Sequence, residues 1–188
     1  RGPARDRAGP LRRASGAGGA AGGSAASNAG ITSALDWRLP VPQGARWDFI
    51  VNIRAEDSAI LPLPLRGVVE ALLELAADLQ ALAVLDGQSE LQLAWYPEGS
   101  AGYDRHTDAP PGDGDARGLR RFTAIVYCTS GWRPGDGGEL RLWPPLGLGA
   151  SAEVEPLAGR LVLFLSGCVP HQVLPNRAER VAVTLWAR

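Results

Sequence analysis

A chain of 188 residues can build one domain with a proper core, and a formal net charge of −1 gives no electrostatic reason to expect nucleic acid or an anionic membrane as partner. No apolar run reaches the roughly 20 residues of a membrane span, so no membrane partner is expected. Every basic residue is Arg, and Met is absent even at position 1, which fits a processed chain or a piece of a longer product. No intact signal peptide is visible. Cys128 and Cys168 make neither a disulfide framework nor a Cys-x-x-Cys zinc site, and are read as idle thiols. The missing disulfide pattern points to the cytoplasm or nucleus, and a monomer is expected.

Residues 1–30 are Gly, Ala, Ser and Arg with almost no large apolar side chain. Such a stretch cannot bury enough surface to offset its ordering entropy and reads as a disordered tail. Order is expected to begin near Leu35-Asp36-Trp37. Residues 31–89 then form a supporting region. Arg46 to Val51 has the aromatic and β-branched content of a strand. A helix follows Pro62 and Pro64 over about 66–84, with Val68, Leu72, Leu75, Leu79 and Leu82 as its apolar stripe and Asp86-Gly87 as its stop. It should pack on the outside of a sheet.

From residue 90 to 188 the pattern changes to short strands divided by Gly/Pro turns. Leu91, Leu93 and Trp95 alternate with Gln92, Ala94 and Tyr96. Phe122 to Cys128 reads as a buried strand, and further strands fall at Leu140, Arg160 to Leu165, His171 to Leu174 and Arg180 to Trp186. The fold class expected is mainly β with supporting helices around a jelly-roll core, which can bring distant residues into one mouth. On the last strand Arg180 shares a face with Ala182, Thr184 and Trp186, and the two small residues leave room for a ligand.

The chain has only two histidines. His106 forms a His-x-Asp pair with Asp108, which a strand would put on one face because side chains alternate. His171 lies far downstream, with Arg180 on the strand after it. Two imidazoles and a carboxylate can cap one face of a metal ion and leave the other open, the ligand set of non-haem Fe(II) oxygenases. Arg180 could then hold the distal carboxylate of a 2-oxo acid by a charge-assisted bond. Tyr127, on a central strand, is the hydroxyl expected to help it. A zinc hydrolase would accept the same ligands, but would not need the Arg, and no general-base Glu stands beside them. Cys168 is close enough to His171 in sequence to approach the metal.

Five segments, Tyr96-Pro97-Glu98-Gly99, Gly102 to Asp108, Gly137 to Pro144, Pro170 to Val173 and Arg180 to Trp186, occur in the order seen in prolyl hydroxylases. From Leu91 to Trp186 the chain resembles the Fe(II)- and 2-oxoglutarate-dependent prolyl 4-hydroxylases, most closely those that hydroxylate hypoxia-inducible factor. The resemblance implies a double-stranded β-helix core, Fe(II), 2-oxoglutarate and L-ascorbate as cofactors, and a proline-containing peptide or protein as substrate. It implies iron ligands at His106, Asp108 and His171, and an Arg180–Tyr127 pair on the distal carboxylate of 2-oxoglutarate. It further implies co-substrate contacts at Tyr96, Leu140, Val173, Thr184 and Trp186, and substrate contacts at Tyr103 and Arg120.

The reaction implied is oxidative decarboxylation of 2-oxoglutarate to succinate and CO2 with hydroxylation of a peptidyl proline. The Gly/Pro/Asp-rich stretch from Ala109 to Arg120 departs from the family where relatives grip their peptide, and Asp104 stands where a neutral residue is common. Asp104 is expected to face solvent. Two rival readings are the same oxygenase chemistry on another substrate and a catalytically silent, partner-binding barrel.

Overall fold

A computed structural model describes residues 48–83, 85–109 and 120–188. The tail 1–30, the expected start of order near Leu35 and most of the stretch between Ala109 and Arg120 lie outside these residues. Strands β1 (Phe49–Ile53), β2 (Ser89–Tyr96), β9 (Arg180–Ala187), β4 (Phe122–Tyr127) and β7 (Leu161–Leu165) form, in that order, a five-stranded antiparallel sheet. A second sheet has the order β3 (Tyr103–His106), β8 (His171–Val173), β5 (Leu140–Leu142) and β6 (Ala152–Val154). One buried cluster joins the sheets, with Ala94, Tyr96, Ile125, Tyr127 and Ala182 from the large one and Leu140 and Val173 from the small one. This is the jelly-roll core expected from the strand pattern. Because β1 completes the large sheet, the supporting region, as far as it is described, packs into a second apolar cluster with β2, β4 and β9 on the sheet's outer face.

Helix α1 (Leu63–Leu82) covers the outer face of the large sheet. It starts ahead of Pro64, not after it, because the first turn needs no intrahelical N–H from proline. It ends at Leu82, with Ala83 already extended, so the Asp86-Gly87 turn follows the helix instead of stopping it. Its buried line is Val69, Leu72, Ala76 and Leu79. Val68 and Leu75 flank that line, and Leu82 is 84% exposed. The expected stripe is therefore turned: small Ala76 takes a buried place against the sheet, and the last turn runs past it. The first strand begins at Phe49, later than expected; Arg46 and Trp47 lie outside the described residues. Cys128 is free and half-buried, Cys168 free and exposed.

Alternation along β9 sets the two faces. Val183 and Leu185 pack under the helix, while Arg180, Ala182, Thr184 and Trp186 face the space between the sheets, as the sequence pattern predicts. Glycine is required where chains meet closest. A Cβ on Gly102 would lie 2.2 Å from the Val173 carbonyl oxygen, and Gly102 has φ +84°. Gly138 (φ +76°) lets the Arg180 side chain pass, since a Cβ there would stand 3.1 Å from Arg180 Cδ.

Candidate active site

His106, at the end of β3, pairs across the small sheet with His171, the first residue of β8. Asp108 is not on the strand with His106. The β3–β8 register shifts between Tyr103 and His106, and the strand ends at His106. Asp108 is instead held in the following loop, where its backbone N–H donates to the Ser166 carbonyl at 3.1 Å. The loop still delivers the carboxylate between the two rings: Asp108 Oδ1 is 3.5 Å from His106 Nε2 and Oδ2 is 3.6 Å from His171 Nε2. One ligand atom from each of the three residues lies within 4.8 Å of the others.

Each ligand is steadied by a neighbour. His106 Nδ1 is 2.7 Å from the Asp104 carbonyl oxygen and His171 Nδ1 is 3.1 Å from that of Val169. Those carbonyls fix the tautomer in which Nδ1 carries the proton and Nε2 is free to ligate. The Asp104 side chain is exposed, as expected; its backbone orients His106. Thr123 Oγ1 donates to Asp108 Oδ2 at 2.8 Å.

Protonation states suit a cation. Burial by itself would raise the Asp108 pKa, but hydrogen bonding to His106 and, in the acidic range where the His171 ring is protonated, the charge of that ring outweigh it and hold the carboxyl well below the usual range. Burial lowers the pKa of His171, against the pull of Asp108, and keeps the imidazole neutral. An ionised carboxylate and a buried imidazole that resists protonation are donors suited to a divalent metal. Cys168 is not among them.

From this cluster a cavity of about 200 Å³ runs between the sheets. Of the residues predicted to line it, Tyr96, Tyr103, Arg120, Leu140, Val173, Arg180, Thr184 and Trp186 do so. Tyr127 is not one of the lining residues but lies in the core beside Arg180, whose guanidinium carbon is 4.9 Å from the Tyr96 ring and 5.1 Å from the Tyr127 ring. Arg180 is 3% exposed and donates through Nε to the Gly138 carbonyl at 2.9 Å.

Among the described residues no carboxylate pairs with Arg180, and the buried Tyr127 hydroxyl has no hydrogen-bond partner. Burial raises the Tyr127 pKa, with Arg180 opposing, so the group is a neutral O–H donor. A buried cation beside an idle donor calls for an anionic oxygen ligand. Arg120 is less free. It stacks on Trp186 at 3.9 Å and is paired with Glu90, so substrate would meet an already engaged guanidinium.

Several contributors were not read from the sequence. Gln92 and Ile125 line the cavity; Gln92 carried a signal, being polar at an inward position of β2. Asn176 ties the loop ahead of β9 to the end of β2, donating from Nδ2 to the carbonyls of Pro97 and Ala178 at 2.7 Å each. Thr123 and Ser166 support Asp108, and nothing in their spacing announces it.

A double-stranded β-helix with two His and one Asp at one end of its cavity, and a buried Arg at the other, is the architecture of an iron-dependent oxygenase. Residues 91–188 match the 2OG-Fe(II) oxygenase superfamily, and the chain belongs to that family. Membership implies Fe(II) and 2-oxoglutarate.

Among relatives, the chain is 41% identical over 101 residues to prolyl hydroxylase EGLN3 of Homo sapiens, covering 53% of this chain and 40% of that one. The crystal structure of a Pseudomonas putida prolyl-4-hydroxylase aligns with TM-score 0.64 and 36% identity, over 81% of this chain and 76% of that one. A Trichoplax adhaerens prolyl hydroxylase, solved in complex with a hypoxia-inducible factor oxygen degradation domain peptide fragment, aligns with TM-score 0.57 and 29% identity, over 76% and 63%. The chain spans less than half the length of the curated relatives it matches.

Proposed function

We propose that this chain hydroxylates a peptidyl proline, consuming 2-oxoglutarate and O2 and releasing succinate and CO2. The observation that carries the reading is the pairing, in one cavity, of the His106–Asp108–His171 cluster with the buried Arg180, which meets no carboxylate among the described residues. Likeness to prolyl hydroxylases, one solved with a peptide, supports the substrate class. His106, Asp108 and His171 would hold the iron. Bound there, the iron and 2-oxoglutarate supply the oxidising power.

The protein residues bind, orient and exclude water. Arg180 takes the distal carboxylate of 2-oxoglutarate through its fork of N–H donors, and the Tyr127 O–H adds a bond to the same group. Small Ala94 and Ala182 leave width for the co-substrate chain, while Leu140, Val173 and Ile125 keep that stretch dry. Tyr96, Thr184 and Trp186 complete the co-substrate walls; Tyr103 and Arg120 stand on the substrate side. Ascorbate as reductant, a cytoplasmic or nuclear setting and action as a monomer belong to the same proposal, on the sequence grounds given above.

Anaerobic Fe(II) loading followed by succinate release from 2-oxoglutarate, with and without proline-containing peptides, tests it. Peptide-stimulated turnover that His106→Ala abolishes is expected. Iron binding with no turnover on any peptide would overturn the prolyl assignment and leave the metal site standing.

A further inference from the structure

Two buried hydroxyls steady Asp108, and their arrangement carries more than support. Thr123, the second residue of β4, and Ser166, just past β7, are both 0% exposed. Side chains so withdrawn from water need partners, and these bond in series: Thr123 Oγ1 is 2.8 Å from Asp108 Oδ2 and 2.8 Å from Ser166 Oγ. Proton counting orders the chain. An ionised carboxylate only accepts, so Thr123 gives its one proton to Asp108 and Ser166 gives its own to Thr123. The backbone closes the loop, with Asp108 N–H donating to the Ser166 carbonyl and Ser166 N–H donating to that of Arg121 at 3.0 Å.

We propose that Thr123 and Ser166 are positioning residues that restrict Asp108 to ligating the metal through one oxygen, Oδ1, and so keep a neighbouring coordination position free for the co-substrate. The proposal rests on the metal reading above. Carboxylates bind cations through one or both oxygens. Here Oδ2 is engaged by Thr123, whose donor strength is reinforced by Ser166. Oδ1 and Oδ2 stand about equally near a histidine nitrogen, 3.5 Å from His106 Nε2 and 3.6 Å from His171 Nε2, and it is the Thr123 bond to Oδ2 that tells them apart. With both oxygens bound, one of the open positions of a facial site would be lost.

Thr123→Val removes the hydroxyl and keeps the shape; Thr123→Ser keeps the hydroxyl; Ser166→Ala removes the second donor. Each is loaded anaerobically with Co(II), whose ligand-field absorption reports the number and arrangement of its ligands. Metal affinity, that spectrum and 2-oxoglutarate affinity of the Co(II) form are measured, with circular dichroism of the metal-free proteins as the folding check.

Thr123→Val should bind Co(II) about 10–100-fold more weakly, show a changed spectrum and bind 2-oxoglutarate less well. Thr123→Ser should restore all three, and Ser166→Ala should shift them partway. A folded Thr123→Val with the parent spectrum and 2-oxoglutarate affinity would reduce the hydroxyls to packing, as would a Thr123→Ser that behaves like Val. If Thr123→Val does not fold, Ser166→Ala decides: an unchanged spectrum overturns the relay. A parent protein that binds no Co(II) would overturn the metal reading itself, a result distinct from all of these.

Discussion

The two faces of the large sheet are about equally buried and chemically opposite. Under α1, Val183 is 0% exposed and Leu185 1%, packed with Val69, Leu72 and Ala76 in an apolar cluster. On the other face of the same strand Arg180 is 3% exposed and Trp186 8%, beside the Tyr127 hydroxyl, which has no partner among the described residues. Burial therefore does not separate a site from a core. What separates them is whether the buried groups are satisfied without a ligand. Val183 and Leu185 on the helix face carry no polar group to satisfy, whereas the cavity face turns the Arg180 guanidinium and the Tyr127 hydroxyl toward the space between the sheets.

That contrast can be broken most sharply from the cavity side. Asp108→Ala should abolish metal binding and metal-dependent succinate release, checked by Fe(II) titration and product assay, while the circular dichroism spectrum stays that of the parent. Leu185→Ala, on the opposite face, should do the reverse. It should lower unfolding free energy by about 2–5 kcal/mol in denaturant titrations, yet leave the KM for 2-oxoglutarate near the parent value.

Arg180→Ala should raise that KM about 10–100-fold, the loss of a charge-assisted hydrogen bond of about 1.5–3 kcal/mol, with Arg180→Lys intermediate. Iron binding should be little changed, which a separate metal titration would check.

The pH response sharpens the comparison further. Folding holds His171 neutral below its ordinary value of 6.5 because the ring is buried. The unfolded chain takes up that proton first, so the metal-free protein should lose stability as pH falls below 6.5. The slope should be at most about 1.4 kcal/mol per pH unit and should end once folded His171 also protonates. His171→Gln should flatten it in thermal melts. Asp108 acts lower down: its folded pKa is depressed, so its contribution is present above the ordinary 3.8 and is lost as pH falls through the still lower folded value. The smallest effect belongs to Leu82→Ala. At 84% exposure it should change stability by no more than about 0.5 kcal/mol. A larger loss would restore the helix stripe drawn from spacing alone.

Local rules in the sequence were enough for the alternation of β9 and β2, which separates Arg180, Ala182 and Thr184 from Val181, Val183 and Leu185, because a strand has a period of two wherever it packs. The scarcity of histidine drew attention to His106 and His171, and their order with Arg180 matched a known family. The tertiary structure decided what depends on contact. It put Asp108 on a loop, not a strand, because β3 shifts register and ends at His106. It turned the helix so that Ala76 is buried and Leu82 exposed, because the sheet's position chooses the buried line. It engaged Arg120 with Glu90 and Trp186. It also brought Thr123 and Ser166, distant in sequence, against one carboxylate, since only the β4–β7 pairing makes them neighbours.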